Sequence, residues 1–275
     1  MNIQVELLKT GCFYADGGAM FGAIPKRSWS RRYFSDENNR CILNMYSLLI
    51  RAGERIILID LGAGSKYQKT LAYYGFFDMQ EWKDLLKTRS LSVTDITDVV
   101  FTHLHFDHCG SATFIENGKV GISFPKARHW VSASQWKNYQ EPHPLEKDSF
   151  FDKNLNVVAE ARLLQLIEKD CILCPGVRLC LMDGHSEGQI VVYVETELGT
   201  VVFAGDVLPL AANLSLEWIS AYDQCPQKSW YAKKRLLDEA VRMGQTVIYC
   251  HDAYLRSSTV KKAGSFYVKD SLVDL

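Results

Sequence analysis

The chain has 275 residues, of which 47% are hydrophobic, and carries 31 Lys and Arg against 32 Asp and Glu. This balance gives no overall electrostatic field that would attract nucleic acid or an anionic membrane, so we predict neither partner. No stretch reaches the roughly 18 consecutive apolar residues of a membrane span. The length favours a single domain over residues 1–275, which would recognise a small molecule through a local site.

The eight cysteines do not require a disulfide framework, because a chain of this length can bury a full core without one. Cys171 and Cys174 form a CxxC, but no second CxxC follows at zinc-ribbon spacing, and Pro175-Gly176 places the pair at a strand edge or turn. Residues 1–6 have neither a basic nor a long apolar segment, unlike a secretory signal. We expect a reduced, cytoplasmic protein.

In chain order, the first half of the sequence predicts strands followed by helices. Short apolar runs bounded by turn residues predict strands at 3–9, 42–51, 55–60 and 98–102. Asp16-Gly17-Gly18 is a loop signal after the first strand, and Ala52-Gly53-Glu54 joins the next two as a hairpin. Apolar residues at helical spacing predict helices at 66–75 and 79–88.

The second half begins irregularly and then becomes strand-rich. Short strands are predicted at 121–124 and 128–132, and helices at 133–140 and 154–168. Leu164-Gln165-Leu166 alternates and would also suit a strand. We expect residues 133–168 to form an insertion or lid. Further strands are predicted at 177–183, 189–195, 200–205 and 246–250, and the clearest helix at 226–243, from Pro226 in its first turn to Gly244 past its end.

Strands and helices thus come in two similar rounds. Each round begins with hairpin-like strands and ends with a helix and a short strand. This order predicts an α/β (α+β) protein, built as a four-layer αββα sandwich of two mixed β-sheets flanked by helices.

The densest group of metal donors is His103-Leu104-His105-Phe106-Asp107-His108, directly after the predicted strand 98–102. His103 and His105 would point the same way from an extended segment, so two imidazoles can bind one ion. Asp107 and His108 come after a turn and can face a second ion a few ångströms away.

Three further donors directly follow predicted strands. They are His185 in Gly184-His185-Ser186, Asp206 in Gly205-Asp206, and His251 in Cys250-His251-Asp252. Strand ends are rigid positions from which several side chains can be aimed at one point. The sequence therefore predicts that these donors complete a site with the first group.

With these residues the sequence resembles the metallo-β-lactamase-fold hydrolases. The matching stretches are 102–110, Gly184-His185, Gly205-Asp206 and His251, in family order across nearly the whole chain. Ile59-Asp60-Leu61-Gly62 also looks like the Asp-containing strand end found early in that family.

The resemblance implies a dinuclear centre with two Zn²⁺, although His and Asp ligands also suit Mn²⁺, Fe²⁺ or Co²⁺. A hydroxide shared by the ions would attack the substrate. Asp107 would later protonate the leaving oxygen, and Asp60 would support a ligand rather than bind a metal. The implied ligands are His103, His105 and His185 for one ion, Asp107, His108 and His251 for the other, and Asp206 bridging.

Within that family, the pattern looks most like the lactonase branch, which includes acyl-homoserine lactonases. His105 stands where the flavodiiron branch carries a carboxylate, and Asp206 stands where some β-lactamases use Cys. The 24 residues after His251 are too few for the C-terminal helical domain of glyoxalase II. RNA-processing members usually have a basic surface, which the balanced charge does not predict.

The substrate pocket is predicted from apolar and aromatic residues. Acyl-homoserine lactonases carry a Tyr shortly after the bridging Asp, whereas here Val207 follows Asp206, so Tyr222 is the candidate to hold the substrate carbonyl. Met20, Phe21 and Phe106 are predicted to contact the substrate. Further candidates for the cleft wall are Ile24, Trp136, Tyr139, Phe150 and Phe151, with His143 as an exposed lid residue.

The sequence thus predicts a dinuclear metal-dependent hydrolase of a lactone or related carboxylic ester. Two alternatives stay open. One is a phosphodiester or phosphotriester hydrolase of the same fold, and the other is a non-catalytic metal-binding regulatory protein. The oligomeric state is also open, with a homodimer as one option.

Overall fold

The protein is described by a computed structural model over residues 2–275. Within that range fifteen strands, β1–β15, are Ile3–Asp16, Arg40–Ala52, Arg55–Ile59, Asp98–Val100, Thr113–Glu116, Lys119–Ile122, Arg128–Ser132, Leu164–Ile167, Cys171–Cys174, Val177–Leu181, Ile190–Thr196, Gly199–Phe203, Thr246–Ile248, Ser257–Ala263 and Phe266–Leu272. Seven α-helices of the same range, α1–α7, are Gly17–Phe21, Lys26–Trp29, Trp82–Lys87, Phe106–Cys109, Ala133–Gln140, Asn156–Glu160 and Pro226–Met243.

The strands form two large mixed sheets and one small hairpin. The first sheet has the order β1-β2-β3-β4-β7-β8, and the second has the order β15-β14-β13-β12-β11-β10-β9. β3, β4, β7 and β8 run parallel, as do β12 and β13, and the other pairs are antiparallel. β5 and β6 form the separate hairpin.

Alternation along the strands creates the layers, because successive side chains point to opposite faces of a sheet. Ile50 and Val192 lie in the core between the two sheets. The adjacent Leu49 faces outward and packs in the cluster that contains the α3 residues, while Val191 packs in the cluster that contains those of α7. The predicted four-layer αββα sandwich is confirmed.

Most of the predicted helices and strands that are marked by signals within their own segment are confirmed. The helix 226–243 is α7, with Pro226 at its start and Gly244 in the left-handed conformation at its C-cap. The helix 133–140 is α5. The CxxC lies in β9, and all eight cysteines are free.

Three predicted helices need correction. Of 66–75, only a 3-10 turn at Ala72–Tyr74 forms, and Leu71 and Tyr74 pack against the cluster that contains Phe13 and Phe106. The helix 79–88 is limited to α3. The helix 154–168 is wrong beyond α6: Arg162 has a positive φ of 59°, and β8 then pairs with β7, so the strand alternative at 164–166 holds.

Along residues 2–275, no helix combines the length and the apolar character needed to cross a bilayer.

Candidate metal centre

The predicted donors lie on loops that follow strands of both sheets. The loops after β4, β10, β12 and β13 meet at one edge of the sandwich. The donors that they carry are, in that order, His103, His105, Asp107 and His108; His185; Asp206; and His251. His103 and His105 precede α4, whereas Asp107 and His108 lie on its single turn, so the two pairs face different positions.

Three buried imidazoles form the first cluster, His103, His105 and His185. His105 Nδ1 lies 3.1 Å from His103 Nε2 and 3.1 Å from His185 Nε2. These distances are close to the roughly 3.3 Å between two ligand atoms on a tetrahedral ion with bonds of about 2.05 Å.

Asp107, His108 and His251 form the second cluster. His108 Nε2 and His251 Nε2 are 3.1 Å apart. Asp107 Oδ2 lies 3.5 Å from the His251 nitrogen and 3.7 Å from the His108 nitrogen. The second cluster thus offers two nitrogens and one oxygen.

Asp206 lies between the two clusters. Its Oδ1 is 3.1 Å from His251 Nε2 and 3.4 Å from His108 Nε2, while its Oδ2 is 3.3 Å from His185 Nε2. Cys250 Sγ donates to Oδ1 over 3.3 Å. One carboxylate oxygen therefore faces each cluster.

The outer nitrogen of every histidine in the two clusters contacts an oxygen. These contacts are His103 Nδ1 to Thr102 Oγ1 at 3.1 Å, His105 Nε2 to Glu146 Oε1 at 2.8 Å, His108 Nδ1 to Asp60 Oδ2 at 2.7 Å, His185 Nδ1 to Asp223 Oδ1 at 2.9 Å, and His251 Nδ1 to the Asn44 carbonyl at 2.7 Å. An outer N–H that donates to oxygen leaves the inner nitrogen with its lone pair. Inner lone pairs about 3 Å apart repel unless a cation lies between them, so the donor set fits divalent metal ions.

The charges of the two clusters differ. Burial and the neighbouring imidazoles hold the pKa of His103 well below its usual range, so this ring is neutral. Burial also disfavours the charged form of His108, but Asp107, Asp206 and Asp60 outweigh it and raise the pKa of His108 to about 10. Despite its burial, Asp206 has a pKa well below its usual range because His251, His108 and His185 surround it. The carboxylates thus make the second cluster the one that attracts positive charge more strongly, whether as a proton on His108 or as a metal ion.

A cleft of about 240 Å³ opens onto both clusters. Its wall includes the apolar Phe13, Met20, Leu43, Phe106 and Trp218, and the polar Tyr74, Asn213, Tyr222 and Lys233. The predicted pocket residues Met20 and Phe106 thus line the cleft.

Phe21 does not line the cleft, and its prediction is wrong. The side chain is fully buried, and its ring stacks on Trp29 with centroids 5.0 Å apart. The short helix α1 turns Phe21 away from the cleft and into the aromatic cluster behind Met20. Ile24 packs against the same cluster.

None of the four aromatic residues predicted for the cleft wall in the 133–168 region lines the cleft. Trp136 and Tyr139 stack on each other at 5.2 Å and pack on the outer face of the first sheet, because α5 covers that face. The Phe150 ring lies 5.2 Å from that of His105. From this region, Leu145 and Ser149 line the cleft.

Tyr222 lies at the lip of the cleft with 37% of its surface exposed. Burial of the phenol and the nearby Tyr74 raise the pKa of Tyr222 above its usual range. Burial and Asp107 raise the pKa of Tyr74 to about 12. Both hydroxyls are therefore protonated at neutral pH and are available as donors to a ligand.

Sequence reasoning missed Glu146, Asp223 and Tyr74. Glu146 and Asp223 are two of 32 acidic residues and lie in irregular segments, so no local pattern distinguishes them. Asp60, in contrast, was predicted to support a ligand, and the structure places it against His108. His143 is exposed, and its Nδ1 accepts from the Leu145 amide.

Comparison with known proteins adds to this geometry. The family model described as the metallo-beta-lactamase superfamily matches residues 44–251. The chain is 25% identical over 171 residues to an N-acyl homoserine lactonase of Bacillus thuringiensis, covering 62% of this chain and 61% of that protein. It is 27% identical over 174 residues to one of Bacillus cereus, covering 61% and 60%. The matches therefore span less than two thirds of these curated relatives.

Solved structures extend the similarity over the whole chain. A probable metal-dependent hydrolase from Staphylococcus aureus has a TM-score of 0.88 and 28% identity, covering 99% of this chain and 98% of that one. AidC, described as a dizinc quorum-quenching lactonase, has a TM-score of 0.80 over 99% and 96% of the two chains, but its 16% identity supports the fold alone. The chain belongs to the metallo-β-lactamase superfamily and resembles its lactonase-like branch.

Proposed function

We propose that the protein is a hydrolase with two divalent metal ions that opens a lactone or a related carboxylic ester. The observation that carries this proposal is the position of Asp206, which presents one carboxylate oxygen to each cluster. The first ion would be held by the first cluster, the second ion by the second cluster, and Asp206 would bridge them. Zn²⁺ is the proposed metal because the donor set is nitrogen-rich and the spacing is tetrahedral.

Two bound ions would supply a water of lowered pKa and would polarise the substrate carbonyl. Asp107 belongs to the second cluster and lines the cleft, so its carboxylate is placed to take up a proton from the attacking water and to donate it to the departing ring oxygen. The Tyr222 phenol, on the cleft lip, would donate a hydrogen bond to the carbonyl, and Tyr74 would provide a second donor. Overall, water adds to the carbonyl carbon, the ring C–O bond breaks, the alkoxide takes up one proton of the water, and the new carboxylic acid releases the other to the solvent.

The cleft wall supports a neutral small-molecule substrate. Met20, Leu43 and Phe106 provide apolar surface beside the two clusters, which suits an acyl or ring portion better than a sugar phosphate. The similarity to proteins named N-acyl homoserine lactonases points to the same class of ester.

Two measurements test the proposal. Elemental analysis of the purified and the zinc-loaded protein should give two equivalents of metal, and His103→Ala should reduce the metal content. A lactone panel should then release protons in a pH-indicator assay. Turnover of nitrophenyl phosphodiesters or phosphotriesters, together with inactivity on every lactone at full metal loading, would overturn the ester assignment and favour the phosphoester alternative.

A further inference from the structure

Glu146 joins the irregular segment 141–150 to the first cluster. Its Oε1 accepts from His105 Nε2 over 2.8 Å. The Glu146 side chain is buried, although the next residue in each direction is exposed, and Leu145 exposes 83% of its surface. Glu146 is therefore the residue by which this segment contacts the first cluster.

The Glu146 carboxylate is fully engaged inside the protein. Ser186 Oγ donates to Oε1 over 2.5 Å, and Asn138 Nδ2 donates to Oε2 over 2.9 Å. Ser186 directly follows His185, so Glu146 contacts one histidine of the first cluster and the chain neighbour of another. Removal of this carboxylate would leave the outer N–H of His105 and the Ser186 hydroxyl without this acceptor.

Three of the other four outer contacts come from better anchored parts of the fold. Asp60 directly follows β3, Asn44 lies within β2, and Thr102 is the chain neighbour of His103. The segment 141–150, in contrast, contains one 3-10 turn at Lys147–Ser149, and its backbone hydrogen bonds close to Glu146 are local, from Glu146 N to His143 O and from Ser149 N to Glu146 O, each 2.9 Å. A segment with few long-range backbone bonds opens easily unless side chains hold it.

We propose that Glu146 is a positioning residue that couples the seating of segment 141–150 to cation binding at the first cluster. This inference rests on the proposed function, because it requires a metal ion at that cluster. Glu146 fixes the orientation of the His105 ring and so favours cation binding at the first cluster. Coupling between cation binding and the packing of segment 141–150 is reciprocal. The bound cation therefore also favours the conformation in which Glu146 contacts His105. Since Leu145 and Ser149 line the cleft, cation binding would also favour the completion of this wall of the cleft.

The test uses the full chain and zinc ions. The variants are Glu146→Ala, which removes the acceptor, and Glu146→Gln, whose amide oxygen can still accept from His105. Asp148→Asn is the matched control, because it removes an exposed carboxylate from the same turn. Zinc titration against a chromophoric chelator should show an affinity at the first cluster about 10–100-fold weaker in Glu146→Ala, intermediate in Glu146→Gln, and unchanged in the control.

Hydrogen exchange of the peptide covering 141–150 provides the second readout. Zinc should slow its exchange in the parent and in Asp148→Asn, but not in Glu146→Ala, while far-UV circular dichroism of the metal-free proteins stays the same. Parent-like zinc affinity in Glu146→Ala, or zinc-independent exchange in the parent, would overturn the inference and leave the metal centre intact. A parent protein that bound no zinc would instead overturn the proposed function as well.

Discussion

At the scale of single residues, Asp60 holds Thr102 and His108 in place at the second cluster. Its carboxylate accepts from the Thr102 amide, the Thr102 hydroxyl and His108 Nδ1, each over 2.7 Å. Its backbone has a positive φ of 55°, a region that Asp and Asn tolerate better than most residues. Asp60 therefore fixes both the turn after β3 and the orientation of one imidazole.

In the proposed two-metal site, Asp60→Asn should weaken binding of the ion at the second cluster by about 10–100-fold, because the new amide NH₂ would face Thr102 or His108 groups that now donate to Asp60. Asn keeps the left-handed backbone, so the turn itself should persist. Isothermal titration with Zn²⁺ measures the effect. Asp78→Asn is the matched control, since Asp78 also has a positive φ, of 52°, but pairs with Lys9 on the surface. Equal affinities in the two variants would contradict this role for Asp60.

His129, in β7, is a buried histidine outside the metal centre. Its Nδ1 contacts the Ala127 carbonyl at 3.1 Å, and its Nε2 has no hydrogen-bond partner among residues 2–275. Burial lowers the pKa of His129 to about 4, whereas an unfolded histidine titrates near 6.5. Between these pH values His129 is protonated in the unfolded chain but neutral in the folded protein. The free energy of unfolding therefore falls as the pH drops from 6.5 towards 4.

His129→Phe should remove this pH-dependent loss, which amounts to about 2–3 kcal/mol between pH 6.5 and 4.5. A Phe ring can keep the stacking on Phe101, where the centroids are now 6.1 Å apart. Urea unfolding of both metal-free proteins at the two pH values measures the difference. If the variant lost as much stability as the parent, His129 would not be the titrating group.

At the scale of elements, α7 holds one wall of the cleft. Lys233 Nζ donates to the carbonyls of Asn213, Ser215 and Trp218 over 2.9–3.1 Å. From the other side, the Arg32 guanidinium lies 4.2 Å from the centroid of the Trp218 ring. The loop 213–218 is thus fastened between a helix and an arginine.

Lys233→Met should destabilise the protein by about 3 kcal/mol, because three carbonyls lose a charged donor, and only those of Ser215 and Trp218 keep another one. The Michaelis constant for the proposed ester substrate should also rise, since Trp218 and Asn213 line the cleft. Lys234→Met is the control: Lys234 is the next residue of α7 and pairs with Asp238 on the surface, so its loss should cost far less stability. Urea unfolding compares the two, and similar losses would refute the role of Lys233.

The elements also show what the sequence can predict. α7 was predicted to the residue because Pro226, Gly244 and helical spacing are local signals. The strand β8 was obscured because its pairing with β7 lies outside its own segment. The seven side chains that the structure brings together could be predicted because histidine is rare here, with 7 in the chain, and because these residues follow strands. Glu146 gave no signal, since its partner His105 is 41 positions away.

At the scale of the whole molecule, Arg55 joins the two sheets. From β3 it forms two hydrogen bonds to Asp98 of β4, at 2.5 and 2.9 Å, and its third donor reaches the Leu173 carbonyl of β9 in the other sheet at 2.5 Å. Trp130 Nε1 also donates to Asp98. Although burial favours the neutral carboxyl, Arg55 holds the pKa of Asp98 below its usual value.

Arg55→Met should lower the free energy of unfolding by about 3 kcal/mol at neutral pH, because Asp98 stays buried without its main partner. The lowered pKa of Asp98 adds stability above about pH 4, and this is lost at lower pH, so the gap between parent and variant should narrow in acid. Arg235→Met is the control, since Arg235 pairs with exposed Asp170 and should contribute less than about 1 kcal/mol. A constant gap at all pH values would contradict the ion-pair explanation.

Each cluster takes donors from loops of both sheets, and this has a consequence for the lifetime of the protein. The His105–His185 contact spans 80 positions in the chain, and the His108–His251 contact spans 143. A metal ion held at such a contact would act on chain entropy as a crosslink does, worth roughly 4–5 kcal/mol for loops of this length. The metal-free protein would then be the form that opens first and meets cellular proteases first. Metal supply would therefore set how much of this protein a cell retains, in addition to how much of it is active.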